Sequence, residues 1–217
     1  MRALLLLVPF LLVACAQEPQ QQRVLDRHGQ LRAEVTRVNG KKEGPVRFFA
    51  TNGDLQTVGR YAQDSRHGAW TTVGSQGDTL SVVSYRYGRK HGLQGYWAPN
   101  GQLLRLERFK DGAPHGPLYR FFADGSPRQI TWYKLGVPEG PYLEWYKVDS
   151  TSVGLTSGQF RHGKRTGRWT WFYGNGKAQR QGHYADGKSV GIWRSWDPSG
   201  RQLQRKDHGA VPTRPEE

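Results

Sequence analysis

Few side chains in this 217-residue sequence could do chemistry, and most of them stand alone: one Cys, seven His, and acidic residues scattered among turn-forming stretches. One Cys permits no intrachain disulfide, no four-cysteine zinc site and no redox pair. His67, His91 and His115 are better arranged, each 24 residues from the next. If each step of 24 is one β-hairpin, they lie about 9 to 10 Å apart, twice the strand spacing. One zinc ion holds its ligand nitrogens about 2 Å from itself, so the three read as loop-packing or surface residues, and no metal or cofactor is expected. Gly74-Ser75-Gln76-Gly77 is one residue short of a nucleophile elbow, and neither a His-Glu-x-x-His pair nor a phosphate-cradling loop is present. Asp124, Asp186 and Asp197 fall at expected turns, where carboxylates favour backbone partners. The chain reads as a non-enzyme; a carboxylate pair assembled across neighbouring hairpins is the route that would escape this reading.

The lone Cys ends the one apolar run. Ala3 to Val13 is eleven residues, about 17 Å as a helix against a hydrocarbon core of about 30 Å, so residues 1–14 read as a signal peptide and not as a membrane span. Leu12-Val13-Ala14-Cys15 resembles the bacterial lipobox, which implies cleavage before Cys15 and acylation of its thiol. Buried acyl chains at about 0.8 kcal/mol per CH₂ attach a soluble domain to a membrane surface. Localisation at a bacterial cell envelope follows as an expectation, with the outer membrane favoured and a periplasmic or surface-exposed array. Residues 15–22, rich in Gln and free of branched or aromatic side chains after Cys15, read as the acylated Cys and a flexible tether.

What positions the remaining residues is a period. Gly44, Gly68, Gly92, Gly116 and Gly140 are 24 apart, Gly167 follows after 27 and Gly191 after 24. A second series runs nine residues behind each of these anchors, from Gly53 to Gly200 with Asp149 in one slot, and a third runs four ahead, with Asp64 in place of one Gly. Such a register signals tandem units that bury apolar surface against their neighbours. The second place after each anchor is mostly large (Val46, Trp70, Gln94, Leu118, Tyr142, Trp169, Trp193), and the fifth is always apolar (Phe49, Val73, Trp97, Phe121, Trp145, Phe172, Trp196). A polar-Gly step such as Asn52-Gly53 then marks a hairpin turn, and a returning strand ends on an aromatic such as Tyr61, Tyr85 or Tyr184. The fold expected is all-β: an elongated, single-layer antiparallel array of about fifteen strands over residues 23–208, seven repeats plus a leading half, about 70 Å long. A closed barrel or propeller is the competing arrangement, although propeller blades run nearer 40 residues. The fifth place and the closing aromatic are expected on the buried side, and residues 209–217 as a disordered tail.

The unit Gly-Lys-x-x-Gly-x-Trp-x-x-aromatic with its following Asn-Gly turn, clearest at Gly163 to Phe172 and Gly187 to Trp193, resembles the MORN repeat in its bacterial 24-residue variant. Proteins of this kind resemble antitoxins of the YwqK type, and that resemblance implies a protein that binds and neutralises a toxin.

Places that vary between units are candidates for binding. The fourth place reads Phe48, Thr72, Tyr96, Arg120, Glu144, Trp171, Ser195. Beside it, Arg161, Lys164, Arg165 and Arg168, all expected in or next to a loop, combine with Trp171 and Tyr173 into a candidate partner-binding set, since Arg and aromatics dominate interface energetics. The formal net charge is +14, and loss of Arg2 with the leader leaves it strongly positive. Export excludes nucleic acid as the natural counterpart and leaves an unknown protein or an anionic envelope component. The chain thus reads as a membrane-anchored binding scaffold, with toxin neutralisation as the alternative.

Overall fold

The computed structural model describes residues 18–147 and 153–210. Cys15 and the leader lie outside the described residues, as do 211–217. Sixteen strands follow one another: β1 (Gln20–Leu25), β2 (Leu31–Val38), β3 (Lys41–Phe49), β4 (Leu55–Ala62), β5 (Ser65–Val73), β6 (Thr79–Arg86), β7 (Arg89–Trp97), β8 (Leu103–Lys110), β9 (Ala113–Phe121), β10 (Pro127–Lys134), β11 (Val137–Lys147), β12 (Val153–Arg161), β13 (Lys164–Phe172), β14 (Ala178–Ala185), β15 (Lys188–Trp196) and β16 (Gln202–Asp207). They form one open antiparallel sheet in which spatial order equals sequence order. Among the described residues the sheet does not close, and β1 and β16 are its two edges.

The count is sixteen and not fifteen because the leading segment forms a whole hairpin. β1 starts three residues earlier than residue 23, so Gln20, Gln21 and Gln22, expected in the tether, pair with Arg37, Thr36 and Val35. Strand pairing needs no apolar side chain where the backbone can extend, and Gln22 Oε1 also accepts from Arg37 Nε at 2.7 Å. At the other end Gly209, expected in the tail, is held to β15 by the Gly191 N–H donating to its carbonyl at 2.7 Å.

Two turn types alternate, and their chemistry differs from the expectation. The two-residue turns with positive φ at both positions precede the anchors, as at Asn39 and Gly40 (φ 50° and 76°), the pairing that suits the right-handed twist of a hairpin. Asp64 (φ 62°) fills the slot that lacks Gly, since Asp tolerates the left-handed region better than most residues. At the polar-Gly steps only the glycine turns left-handed: the Gly53 N–H donates to the Ala50 carbonyl at 3.0 Å, and the Ala50 N–H to the Asp54 carbonyl at 2.8 Å. These are three-residue loops closed by a glycine bulge.

Side chains alternate across a strand, so the second and fourth places share one face and the third and fifth the other. The burial follows the second place and not the fifth. A single cross-strand row, one residue from each of β2 to β15, holds most of the core: Val35, Val46, Gly59, Trp70, Val83, Gln94, Glu107, Leu118, Thr131, Tyr142, Gly158, Trp169, Gly182 and Trp193. Trp169 is 0% exposed and Val46 1%, while every fifth-place residue is only partly buried on the opposite face. The closing aromatics lie where expected, on the core side: Tyr61 and Tyr85 meet Trp70 edge-on at 5.1 and 6.3 Å.

Candidate functional site

Each core-row Trp sits on a glycine. A Cβ at Gly59, Gly158 or Gly182 would overlap the indole of Trp70, Trp169 or Trp193 respectively. Where the row has no Trp, the same place in the preceding strand carries a side chain: Val83 before Gln94, Glu107 before Leu118, Thr131 before Tyr142. Glycine eleven residues before tryptophan is the sequence signal for this packing, and the pattern of anchors alone did not reveal it.

Above the row lies a series of cations contributed two residues ahead of the anchors. Lys42 stands 5.0 Å over Tyr61, Arg66 4.5 Å over Trp70 and 5.4 Å over Tyr85, Lys90 5.1 Å over Phe109, and Arg165 4.4 Å over Trp169 and 5.5 Å over Tyr184. Each contributes cation–π attraction while its stem covers apolar surface and its charge faces solvent. This lid of positive charge over aromatic rings is found in four of the seven repeats; Pro114, Pro138 and Ser189 hold the same place in the others.

Beside the core runs a second continuous row: Phe48, Thr57, Thr72, Ser81, Tyr96, Arg105, Arg120, Gln129, Glu144, Thr156, Trp171, Arg180, Ser195, Gln204. This is the variable fourth place together with its cross-strand partners, and it is half-buried or exposed for most of its length. In mid-array the two rows turn polar. Buried Glu107 accepts from Arg105 at 2.6 Å, Arg105 stacks 5.3 Å over Tyr96, and Gln94, opposite Glu107, is 0% exposed with neither amide atom partnered among the described residues. Arg120 bonds Gln129 at 3.1 Å, Gln129 bonds Thr131 at 2.9 Å, and Tyr142 donates to Glu144 at 2.7 Å. Burial, helped by the Glu144 carboxylate, pushes the Tyr142 hydroxyl well above its ordinary range.

The six residues expected to form a partner site divide between the faces. Arg165 and Trp171 belong to the aromatic face, with Arg165 stacked on Trp169 and 5.9 Å from Trp171. Tyr173 stands at the turn end of the same face, donating to the Trp196 carbonyl at 2.8 Å. Arg161, Lys164 and Arg168 each neighbour a residue of that face in sequence, Phe160, Arg165 and Trp169, so the alternation of the strand turns all three to the other side. Arg161 and Lys164 are cross-strand partners flanking the turn at His162 and Gly163. The exposed Arg165 is therefore a structural cover as well as a loop-side charge.

The histidines act locally. His67 packs against Tyr87 at 4.9 Å and His91 Nδ1 lies 3.3 Å from an Asp111 carboxylate oxygen. The described residues contain no group of three or more His, Cys, Asp or Glu side chains with metal-binding geometry. Asp124 and Asp197 sit in turns, and hydrogen-bond donors hold both carboxyls below the usual carboxylate range, the Lys147 ammonium foremost for Asp124 and the Ser199 hydroxyl foremost for Asp197.

No curated protein matches the chain. Residues 165–186, which cover the hairpin of β13 and β14 with its connecting turn and include Arg165 stacked on Trp169, match the family model described as MORN repeat variant. By that match, and by the same hairpin geometry recurring along the sheet, this chain is similar to the MORN repeat proteins.

Proposed function

We propose that the chain is a non-enzymatic lipoprotein, acylated at Cys15 and held at the bacterial cell envelope, whose array binds an acidic protein or an anionic envelope component along its aromatic face. The observation that supports it most is the stacking of Lys42, Arg66, Lys90 and Arg165 over aromatic rings in four of the seven repeats. That arrangement offers many spaced positive charges backed by surface that a partner desolvates on contact. Contacts of this kind weaken as salt shortens the Debye length from about 10 Å at 0.1 M to about 3 Å at 1 M.

The test is a pull-down of the acylated protein at both salt concentrations. Lys42→Glu, Arg66→Glu and Lys90→Glu together are expected to remove the salt-sensitive part of partner capture. The same reversal at Arg161, Lys164 and Arg168, on the other face, is expected to leave capture unchanged. If the second set abolishes capture and the first does not, the binding face has been assigned wrongly. Cys15→Ser is expected to move the protein from the membrane to the soluble fraction, and continued sedimentation with membranes would remove the anchor from the proposal.

A further inference from the structure

The tight turns after the first are hooked to the hairpin before them. The second turn residue donates its N–H to the carbonyl two places ahead of the preceding anchor: Asp64 to Lys42 at 3.0 Å, Gly88 to Arg66 and Gly112 to Lys90 at 2.8 Å, Gly136 to Pro114 at 2.7 Å, Gly163 to Pro138 at 2.9 Å and Gly187 to Arg165 at 3.0 Å. A second hook uses the side chain immediately ahead of that anchor, which accepts from the amide of the first turn residue. Glu43 takes the Gln63 amide at 2.8 Å, His91 Nδ1 the Asp111 amide at 3.4 Å, and Glu139 the His162 amide at 2.7 Å.

His67 and His115 hold the same place, and there the second hook is open. Their Nδ1 atoms are buried and have no partner among the described residues, and the corresponding amides, of Tyr87 and Leu135, have no backbone acceptor there. The His67 ring lies against that of Tyr87, with centroids 4.9 Å apart. These are also the two turns with an apolar first residue: Tyr87 (φ 45°) is 63% exposed and Leu135 (φ 49°) 57%, in a left-handed position that the other turns give to Asn, Asp, Gln or His. The turns at Tyr87-Gly88 and Leu135-Gly136 are therefore the least secured.

The three histidines differ in the charges about them. His67 has Arg60 as its cross-strand partner, and Arg86 and Arg89 flank the turn beyond it. The nearest carboxylate in its own hairpin, Asp64, is taken by the Lys42 amide at 2.8 Å, and Arg66 covers Trp70 on the other face. Around His115 stand Arg108, whose side chain lies beside Gly116, Lys110 opposite Ala113, and Tyr133 and Lys134 at the turn beyond. His91 alone faces an acid: its Nδ1 lies 3.3 Å from the Asp111 carboxylate, which Arg86 also approaches at 3.4 Å. Arg89 and Lys90 precede it in its own strand, and Lys110 precedes Asp111.

We infer that His67 and His115 make the turns at Tyr87-Gly88 and Leu135-Gly136 acid-labile, and that His91 makes the turn between them acid-stable. A neutral imidazole with its proton on Nε2 offers Nδ1 as an acceptor to the turn amide, as at His91, whereas an imidazolium donates at both nitrogens. Histidine passes between these forms within the range pH 5 to 8. At His67 and His115 the added proton sets an N–H toward an N–H and places a positive charge among Arg and Lys. At His91 the same proton exchanges a long amide bond for an ion pair with Asp111. As pH falls the hold on the two outer turns is lost and the hold on the middle one is gained, so neighbouring hairpins respond with opposite sign. The inference goes beyond the binding-scaffold reading and is independent of which face takes the partner: it places a proton-sensitive stretch, with Tyr87 and Leu135 at its tips, in the middle of the array.

The test is residue-resolved amide exchange of the full chain in neutral detergent at about pH 7.5 and about pH 5, either side of the range in which histidine changes charge, each rate taken relative to an unstructured chain at the same pH. Protection of the Gly88 and Gly136 amides is expected to fall about fivefold at the lower pH and that of Gly112 to rise about twofold, while Asp64, in the turn hooked by Glu43, stays unchanged. His67→Gln with His115→Gln, which keeps a neutral acceptor that gains no proton, is expected to abolish the fall at Gly88 and Gly136 and to leave the rise at Gly112. His91→Gln is expected to abolish that rise alone. His67→Glu with His115→Glu, which repeats the hooks of Glu43 and Glu139, is the second pair, expected to raise protection of both glycines at neutral pH. Unchanged exchange in β12 to β15 is the check on folding. A fall at all three glycines would show general softening in acid and overturn the inference. So would an unchanged Gly112, the absence of any fall at Gly88 and Gly136, or a fall that persists in both pairs of variants.

Discussion

At the level of single residues the array is decided by which rows carry tryptophan and what lies beneath it. Gly182 touches the Trp193 indole so closely that a methyl group cannot be added without displacing the ring. Gly182→Ala is therefore expected to destabilise the last two hairpins by about 1 to 3 kcal/mol, the usual cost of overpacking, read as a lower urea midpoint. Gly176→Ala is a poor control, because its φ of 78° brings a backbone cost of its own. The candidate residues were readable in the sequence only in part. Arg165, Trp171 and Tyr173 were found by type, but the separation of Arg161, Lys164 and Arg168 onto the other face follows from strand alternation once Trp169 is known to point inward. The second and fifth places are both rich in large apolar residues, and three positions apart on a strand they must face opposite ways. Composition could not say which was the core. The glycine eleven residues before each core-row Trp settles it, since those glycines have no turn to explain them.

Among elements, the turns are where sequence and structure agree on place and differ in kind. The two glycine series on either side of the anchors mark turns, with Asp64 standing in for one glycine, while the anchors themselves lie inside strands at left-handed backbone positions such as Gly44 (φ 101°). Which turn was the tight one could not be read from Asn-Gly alone, since the same dipeptide serves a two-residue turn and a glycine-bulge loop. The loop between β15 and β16 depends on one carboxylate. Asp197 accepts from the Ser199 hydroxyl at 2.5 Å and from the Ser199 and Arg201 amides at 3.0 Å each. These bonds, the Ser199 hydroxyl first, lower its pKa from 3.8 to about 2. A carboxyl depressed in the folded state stabilises it above the unfolded pKa and stops doing so as pH falls through the folded one. The loop is therefore expected to hold its geometry down to about pH 4 and to loosen between there and about pH 2, seen as a shift of the Ser199 and Arg201 amide resonances. In Asp197→Asn that transition is expected to vanish. A transition that persisted there would assign the acid sensitivity to another group.

Over the whole molecule, stability is close to a sum of neighbours, because every described strand pairs only with those before and after it in sequence. Trp169→Ala, which removes a fully buried indole, is expected to cost about 3 to 5 kcal/mol and to speed amide exchange in β12 to β15 while leaving β3 and β4 protected. Equal loss at both ends would contradict the open array. The period of 24 announced this architecture plainly, and the extent of the ends was the part it left out, since β1, β2 and β16 lack the aromatics that mark the other strands. The same strand order has a mechanical consequence. The two ends of the chain leave from opposite ends of the sheet, so a pull between them runs across the strands and parts the backbone bonds of one hairpin in succession before reaching the next. Each 24-residue unit occupies about 10 Å along the array when folded and yields about 80 Å of extended chain when it opens. Under load the protein is a length reserve that pays out in steps from whichever edge is pulled and re-forms hairpin by hairpin when the load is released.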